Sequence, residues 1–417
     1  MELPLPLPLG EGGIKQQGVN IRVSANWQDD LIELCRGMIR RPSLSGQEKD
    51  MADFVEDTMR LYGFDSTERD RYGNVSGRMV FGSGSGKKIL FEGHMDHVDI
   101  VNRSKWTHDP FGAELVDGKI YGRGASDMKG NIAAALMAAR RLREAPGDLS
   151  GEFIVCGGVH EECFEGVASE ELGKRWRPDC VIIGEASSLN LKRGQRGRAE
   201  VVLETKGKSA HSSNPEVGLN AVKTMVELLT AIERDFVPKE QEVLGKGILE
   251  LTDIISSPYP GASVVPERCR VTFDRRLLVG ETEEEVLGQI QAIIDKESKR
   301  NPKIQAEVSL AVGSETCYTG ERIEAQRYAP AWLFPEDHWF VQAAWVGLIA
   351  AGLRPEMSHF AFCTNGSYYA GKAGIPTVGF GGSMESLAHV VDEYIEVDQL
   401  CRACEGYHGI VRRVLTP

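Results

Sequence analysis

The residues best able to do chemistry form five short clusters of His, Asp and Glu. Gly93-His94-Met95-Asp96-His97 sets an imidazole two residues before a carboxylate. A histidine that binds a metal through one ring nitrogen commonly has its other nitrogen fixed by such a group. Tyr121 to Gly130, YGRGASDMKG, is a Gly-rich turn that offers Asp127 just ahead of a helical pattern; capping that helix is the bland alternative for Asp127. His160-Glu161-Glu162 places two carboxylates side by side after an apolar run. Adjacent buried carboxylates repel and are costly to desolvate, and a bound cation relieves both problems. Gly184-Glu185 and Ala388-His389 add one ligand-type residue each. No single cluster is specific. Together His94, Asp127, Glu162, Glu185 and His389 make a five-ligand set for two divalent metal ions, one carboxylate bridging, with donors suited to zinc, manganese or cobalt.

These side chains need a scaffold that brings them together. Short apolar runs at Ile89-Leu90-Phe91, Phe153-Ile154-Val155, Val181-Ile182-Ile183 and Pro376-Thr377-Val378 predict buried strands of a mixed sheet. Helical spacing is expected at about 27 to 40, after Ser45-Gly46-Gln47-Glu48, from Asn131 to Leu142 and from Val341 to Leu353. The alternation argues an α/β layered domain whose polar clusters sit just past strand ends. Residues 195 to 311 break that alternation: a strand at 199–205, a helix near 219–232, strands near 247–255 and 269–274, and a helix at 282–298. The expected organisation is therefore one domain from 1–194 and 312–417, with 195–311 inserted as an α+β unit and 1–26 as a flexible leader.

At 417 residues the chain has room for two cores. Its 61 acidic and 48 basic residues give a net charge of −13, which removes the basic footprint needed for nucleic acid or an anionic membrane. No apolar stretch approaches the ~18 to 20 residues that span a bilayer. The opening MELPLPLP alternates Leu with Pro and cannot form the apolar helix of a signal peptide. The nine cysteines are odd in number and scattered, unlike a disulfide framework. Cys401 and Cys404 form a lone CxxC pair, read as two helix-face thiols, and Cys163 lacks a base partner that would make it a nucleophile. A cytoplasmic protein with reduced thiols is expected.

The motifs GHMD, GRGASDMKG, HEE, GEAS and AHVVDE, in that order between about 28 and 412, resemble the co-catalytic-metal family that includes acetylornithine deacetylase, succinyl-diaminopimelate desuccinylase and glutamate carboxypeptidases. Within it, RGQRGR at 193–198, Asp274-Arg275-Arg276 and Thr364-Asn365-Gly366 look most like hydrolases associated with selenium metabolism in bacteria. The resemblance implies an α/β, mixed-sheet metallopeptidase-like catalytic domain carrying an inserted α+β lid and dimerisation domain. It implies two divalent metal ions per subunit, most readily zinc, with His94, Asp127 and Glu185 around one, Glu162, Asp127 and His389 around the other, which ion each outer ligand serves being left open, and Asp127 bridging. Asp96 would orient His94, and Glu161 would be the general base. His211, in Ser209-Ala210-His211-Ser212, would reach the partner subunit of a homodimer to stabilise an oxyanion. Arg276 would hold a substrate carboxylate. Asn220 and the turn carrying Asn365 are further candidates for substrate contact, with a structural role as the competing reading. His97, Asp99 and His160 depart from the family pattern and could line an unusual pocket. Glu rather than Asp at 185 leans towards deacylases and carboxypeptidases.

The expected reaction is hydrolysis of an N-acyl amino acid or dipeptide-like amide, a C–N bond in a small, carboxylate-bearing substrate. Two alternatives are an aminohydrolase acting on a non-peptide C–N bond and a homologue that only binds its ligand. A pure binding module has no need of a free base such as Glu161 beside a metal.

Overall fold

The computed structural model describes residues 13–16, 19–22, 24 and 26–417. The expected leader therefore lies largely outside the described residues. The main sheet has nine strands. Its centre is Lys87–His94, flanked in parallel by Gly151–Gly158 on one side and Cys180–Ile183 on the other, and Thr377–Gly379 extends the parallel run. Val75–Phe81 and Ser66–Arg69 close one edge antiparallel. Leu191–Gln195, Trp332–Leu333 and Met357–Phe360 form the other edge.

Side-chain alternation explains why these strands are apolar throughout. Ile89, Phe91, Phe153, Val155, Cys180 and Ile182 face one core, which the helices Trp27–Ile39, Gly130–Glu144 and Val397–Leu415 cover. Leu90, Ile154, Cys156, Val181 and Ile183 point the opposite way, onto Leu172, Trp176, Tyr368 and Tyr369. Both faces are buried, so the strand exits are the places left for polar side chains.

The second sheet is antiparallel and has its own core. Ile248–Ser257, Arg268–Leu277, Gly197–Lys206 and Ala306–Leu310 lie in that order, and Tyr328–Ala329 also pairs with Gly197–Lys206. Helices Ala221–Asp235 and Glu283–Arg300 pack Met225, Leu228, Ile290 and Ile294 against Val201, Leu203, Val271 and Phe273. A capping box of Thr282 and Glu285 starts the longer helix. Tyr328–Ala329 lies beyond residue 311, so the chain touches the second sheet once more after leaving it. Between, the hairpin Val312–Thr316 and Arg322–Gln326 returns to the main body, where Cys317 and Ile323 join its core.

Candidate metal centre

His94 is the last residue of one of three parallel strands, and Glu162 and Glu185 follow the ends of the other two. Asp127 and His389 do not; each sits on a longer loop and is brought in by tertiary contacts. Asp127 lies at φ −124°, ψ 90°. It does not cap the following helix, which begins at Gly130 without a side-chain cap. Its carboxylate instead lies between two imidazoles: Oδ1 is 2.9 Å from His94 Nε2 and Oδ2 is 3.3 Å from His389 Nε2. Glu185 Oε1 is 3.5 Å and Glu161 Oε2 4.0 Å from His94 Nε2. Glu162 Oε2 is 3.0 Å from His389 Nε2.

The charge balance points to cations. Burial opposes a charge on His94, but the field of Glu185 and the bonds from Asp127 and Asp96 win, and its pKa is held well above the usual value. Bonds to Asp127 and Glu162 raise His389 to about 10. Asp127 would be raised by burial, yet the two imidazoles hold it well below the ordinary carboxylate range. Burial pushes Glu161 well up, with Glu185, Glu162 and Glu165 adding to it. Burial and then Asp127 bring Glu162 up to about 7. One oxygen of Glu162, Oε1, is buried with no hydrogen-bond partner among the described residues. Carboxylates thus outnumber imidazoles in a site that is buried around His94 and open to solvent at His389, with an acceptor left over. Among the described residues, the groups whose donor atoms converge closely enough to hold an ion are His94, Glu161 and Glu185, and His94, Asp127 and Glu162. The donors fit divalent metals that take nitrogen and oxygen ligands.

The supports of this site were only partly visible in sequence. Asp96 meets His94 Nδ1 through its main-chain oxygen, at 3.0 Å, with its carboxylate at 3.6 Å. That carboxylate accepts from the main-chain N–H groups of Glu161 and Glu162, both at 3.2 Å, and from Ser45 Oγ at 2.7 Å. It therefore fixes the Glu pair as well as the ring. Glu393, the last residue of AHVVDE, has no assigned role from sequence. It is fully buried, pairs with Arg123 at 2.7 Å, and accepts from the N–H groups of Ser126 and Asp127 at 2.8 and 3.1 Å. The motif membership of Glu393 and Arg123 was the available signal. Asn131 pins the 381–382 loop through Gly382 N and O. At Gly381 a Cβ would stand 2.4 Å from the Glu185 carbonyl oxygen, so the loop can approach the ligand strand only with glycine there.

The remaining candidates lie apart from this constellation. His211 is exposed on the second unit, where Ser213 N–H donates to its Nδ1 at 3.1 Å, leaving Nε2 as the donor nitrogen. Arg276 pairs with Asp274 at 2.7 Å. Asn220 caps the Ala221–Asp235 helix, accepting from Lys223 N. Asn365 is buried, donating to Glu92 at 2.8 Å and accepting from Gly166 N at 2.7 Å. Both asparagines thus have structural work. His97 does not line a pocket: it is buried, Nε2 accepting from Ser43 N at 2.9 Å and Nδ1 donating to the Val98 carbonyl at 2.8 Å. Asp99 accepts from Val101 N in an exposed loop. His160 is buried.

The chain matches the profile of Peptidase family M20/M25/M40 over residues 90–256 and 262–413. It is 33% identical over 391 residues to the uncharacterized protein YgeY of Escherichia coli (strain K12), covering 92% of this chain and 94% of that one. It is 26% identical over 392 residues to the succinyl-diaminopimelate desuccinylase of Caulobacter vibrioides (strain NA1000 / CB15N), covering 92% and 96%. In three dimensions it resembles the Bacillus subtilis YXEP protein, a dinuclear metal binding peptidase, with a TM-score of 0.69 at 15% identity over 93% of this chain and 98% of that one.

Proposed function

Because the chain belongs to peptidase family M20/M25/M40, we propose that this metal-dependent hydrolase of amide C–N bonds acts on a small N-acyl amino acid or dipeptide-like substrate bearing a carboxylate. The observation that carries the proposal is Asp127, whose two oxygens each face a different imidazole. A single carboxylate so placed is suited to bridging two ions, with Glu185 beside His94 and Glu162 beside His389. Zinc is the first choice for this donor set, cobalt and manganese the next. Bound divalent ions supply an activated water and polarise the scissile carbonyl.

The chain's own residues do the rest. Glu161 takes the proton from water and passes it to the leaving nitrogen. Asp96 keeps Glu161 and Glu162 in place through their main-chain N–H groups. Arg276 receives the substrate carboxylate. His211, with Nε2 as donor, stabilises the oxyanion in the site of the partner subunit of a homodimer. The dimer reading is supported by the edge strand Ile248–Ser257, which leaves Ile248, Leu251, Ile254 and Ile255 exposed. Nine free cysteines fit a reducing, cytoplasmic setting. No helix among the described residues is long and apolar enough to cross a membrane.

Metal analysis joined to a turnover screen tests the proposal. Acylated amino acids are compared with amine-bearing ring and carbamoyl compounds, with and without chelator. Chelator-sensitive release of an acyl group is the expected result; ammonia release from the second set alone, or turnover indifferent to chelator, overturns it.

A further inference from the structure

Strand alternation arranges four charged residues between the second sheet and the loop behind the Glu pair. Along Arg268–Leu277, Arg275 turns inward, 1% exposed and paired with Glu281 at 2.6 Å. Asp274 and Arg276 share the opposite face. Arg198 of the neighbouring strand stands in register with Arg276, and two guanidinium groups facing each other across a ladder repel. Asp274 separates them: Oδ1 is ion-paired with Arg276 Nε at 2.7 Å, and Oδ2 accepts from Arg198 Nε at 2.9 Å. Arg276 Nη2 also donates to Oδ2, at 3.3 Å. Arg198 continues to Glu165 at 3.1 Å, four residues after Glu161.

We propose that Asp274 is an internal competitor that occupies the carboxylate seat of Arg276 and is displaced when the carboxylate of a substrate binds. Arg198 makes the exchange feasible, because it retains Asp274 after Arg276 has let go and so leaves no carboxylate unpaired. Hydrolysis of an amide frees a product that still carries its carboxylate. The return of Asp274 to Arg276 then speeds the departure of that product, a step that limits many enzymes. Asp274 and Arg198 act as positioning residues in this scheme, and the scheme rests on Arg276 as the carboxylate receiver proposed above.

Calorimetric binding of N-acetyl-L-leucine and of its C-terminal amide to metal-loaded full-length enzyme in a Glu161→Gln background separates the possibilities. Asp274→Asn is expected to tighten binding of the acid about tenfold, the scale of one charge-assisted bond, and to leave the amide within about twofold. Arg198→Gln is expected to do the reverse, weakening the acid, because Asp274 then has Arg276 as its sole partner. Shifts of the same sign in both variants, or none, overturn the competitor role, and Arg198→Gln alone decides it should Asp274→Asn fail to fold. Equal affinity of acid and amide for the parent protein, or an Arg276→Ala variant that binds the acid unchanged, removes the carboxylate-receiver assignment instead.

Discussion

The carboxylate of Glu393 holds the main chain of Asp127: Oε1 accepts from the Asp127 N–H at 3.1 Å, while Oε2 is paired with Arg123. The carboxylate proposed to bridge the ions is thus placed by a second, buried carboxylate 266 residues further along the chain. Glu393→Ala leaves Arg123 buried without its partner, which costs about 3–5 kcal/mol. It also frees the Asp127 turn, and loss of such outer support weakens metal affinity by about 10- to 100-fold. Thermal melting and metal titration check the two effects; a variant with wild-type metal affinity would separate Glu393 from the centre.

Glu161→Gln preserves shape and removes the proton acceptor. We expect kcat to fall by about 100- to 10,000-fold, the range for loss of general base catalysis. Metal content must stay at the wild-type value, because Glu161 also stands 4.0 Å from His94. If metal is lost along with activity, Glu161 is a ligand rather than the base.

Protons and metal compete for the same groups. In the metal-free protein His389 is raised to about 10 by Asp127 and Glu162. A raised pKa contributes stability that is fully present below the unfolded value, near 6.5, and is lost as pH rises through about 10. The stability difference between metal-free wild type and His389→Asn should therefore shrink from pH 6.5 to pH 10. Over the same range metal affinity should rise, since fewer protons must be displaced. Denaturant melts at a series of pH values, with and without metal, test both trends; a difference that grows with pH would be contrary to the assignment.

The dimer proposal has a direct test by complementation. His211→Ala and Glu161→Gln subunits should each be nearly inactive alone, yet recover turnover when refolded together, because a mixed dimer holds one site with its own Glu161 and a borrowed His211. Ile254→Lys with Ile255→Lys on the exposed edge strand should shift the protein towards monomer and abolish that recovery. Sedimentation measured alongside activity decides the matter. No recovery from intact mixed dimers would mean that His211 serves no partner site.

What sequence made legible was whatever leaves a local pattern. The apolar triplets at 89–91, 153–155 and 181–183 announced strands because burial on both faces demands unbroken apolar runs, and each lies within an observed strand. The adjacent carboxylates of 161 and 162 signalled a cation by their cost alone. The supports were harder to read, because their partners are distant and follow no period. Nothing in the spacing tells that the Asp96 side chain grips the N–H groups of Glu161 and Glu162 while its carbonyl holds His94. His97 is a pocket candidate in sequence because it departs from the family pattern, and no local pattern shows that its nitrogens face Ser43 and Val98. The two-residue pairing of Tyr328–Ala329 with the second sheet is too short to show any alternation.

The tie between Glu393 and Asp127 also bears on how the protein is made. A nascent chain that has emerged from the ribosome only as far as Glu185 already carries His94, Asp127 and the Glu pair, but neither His389 nor the anchor that sets the Asp127 turn. Until translation passes residue 389 the carboxylates stand without the second imidazole, and until it passes 393 the Asp127 turn stands without its anchor. On the proposed ligand set, loading of both ions therefore belongs to the end of synthesis, and a product truncated before that point lacks a complete centre.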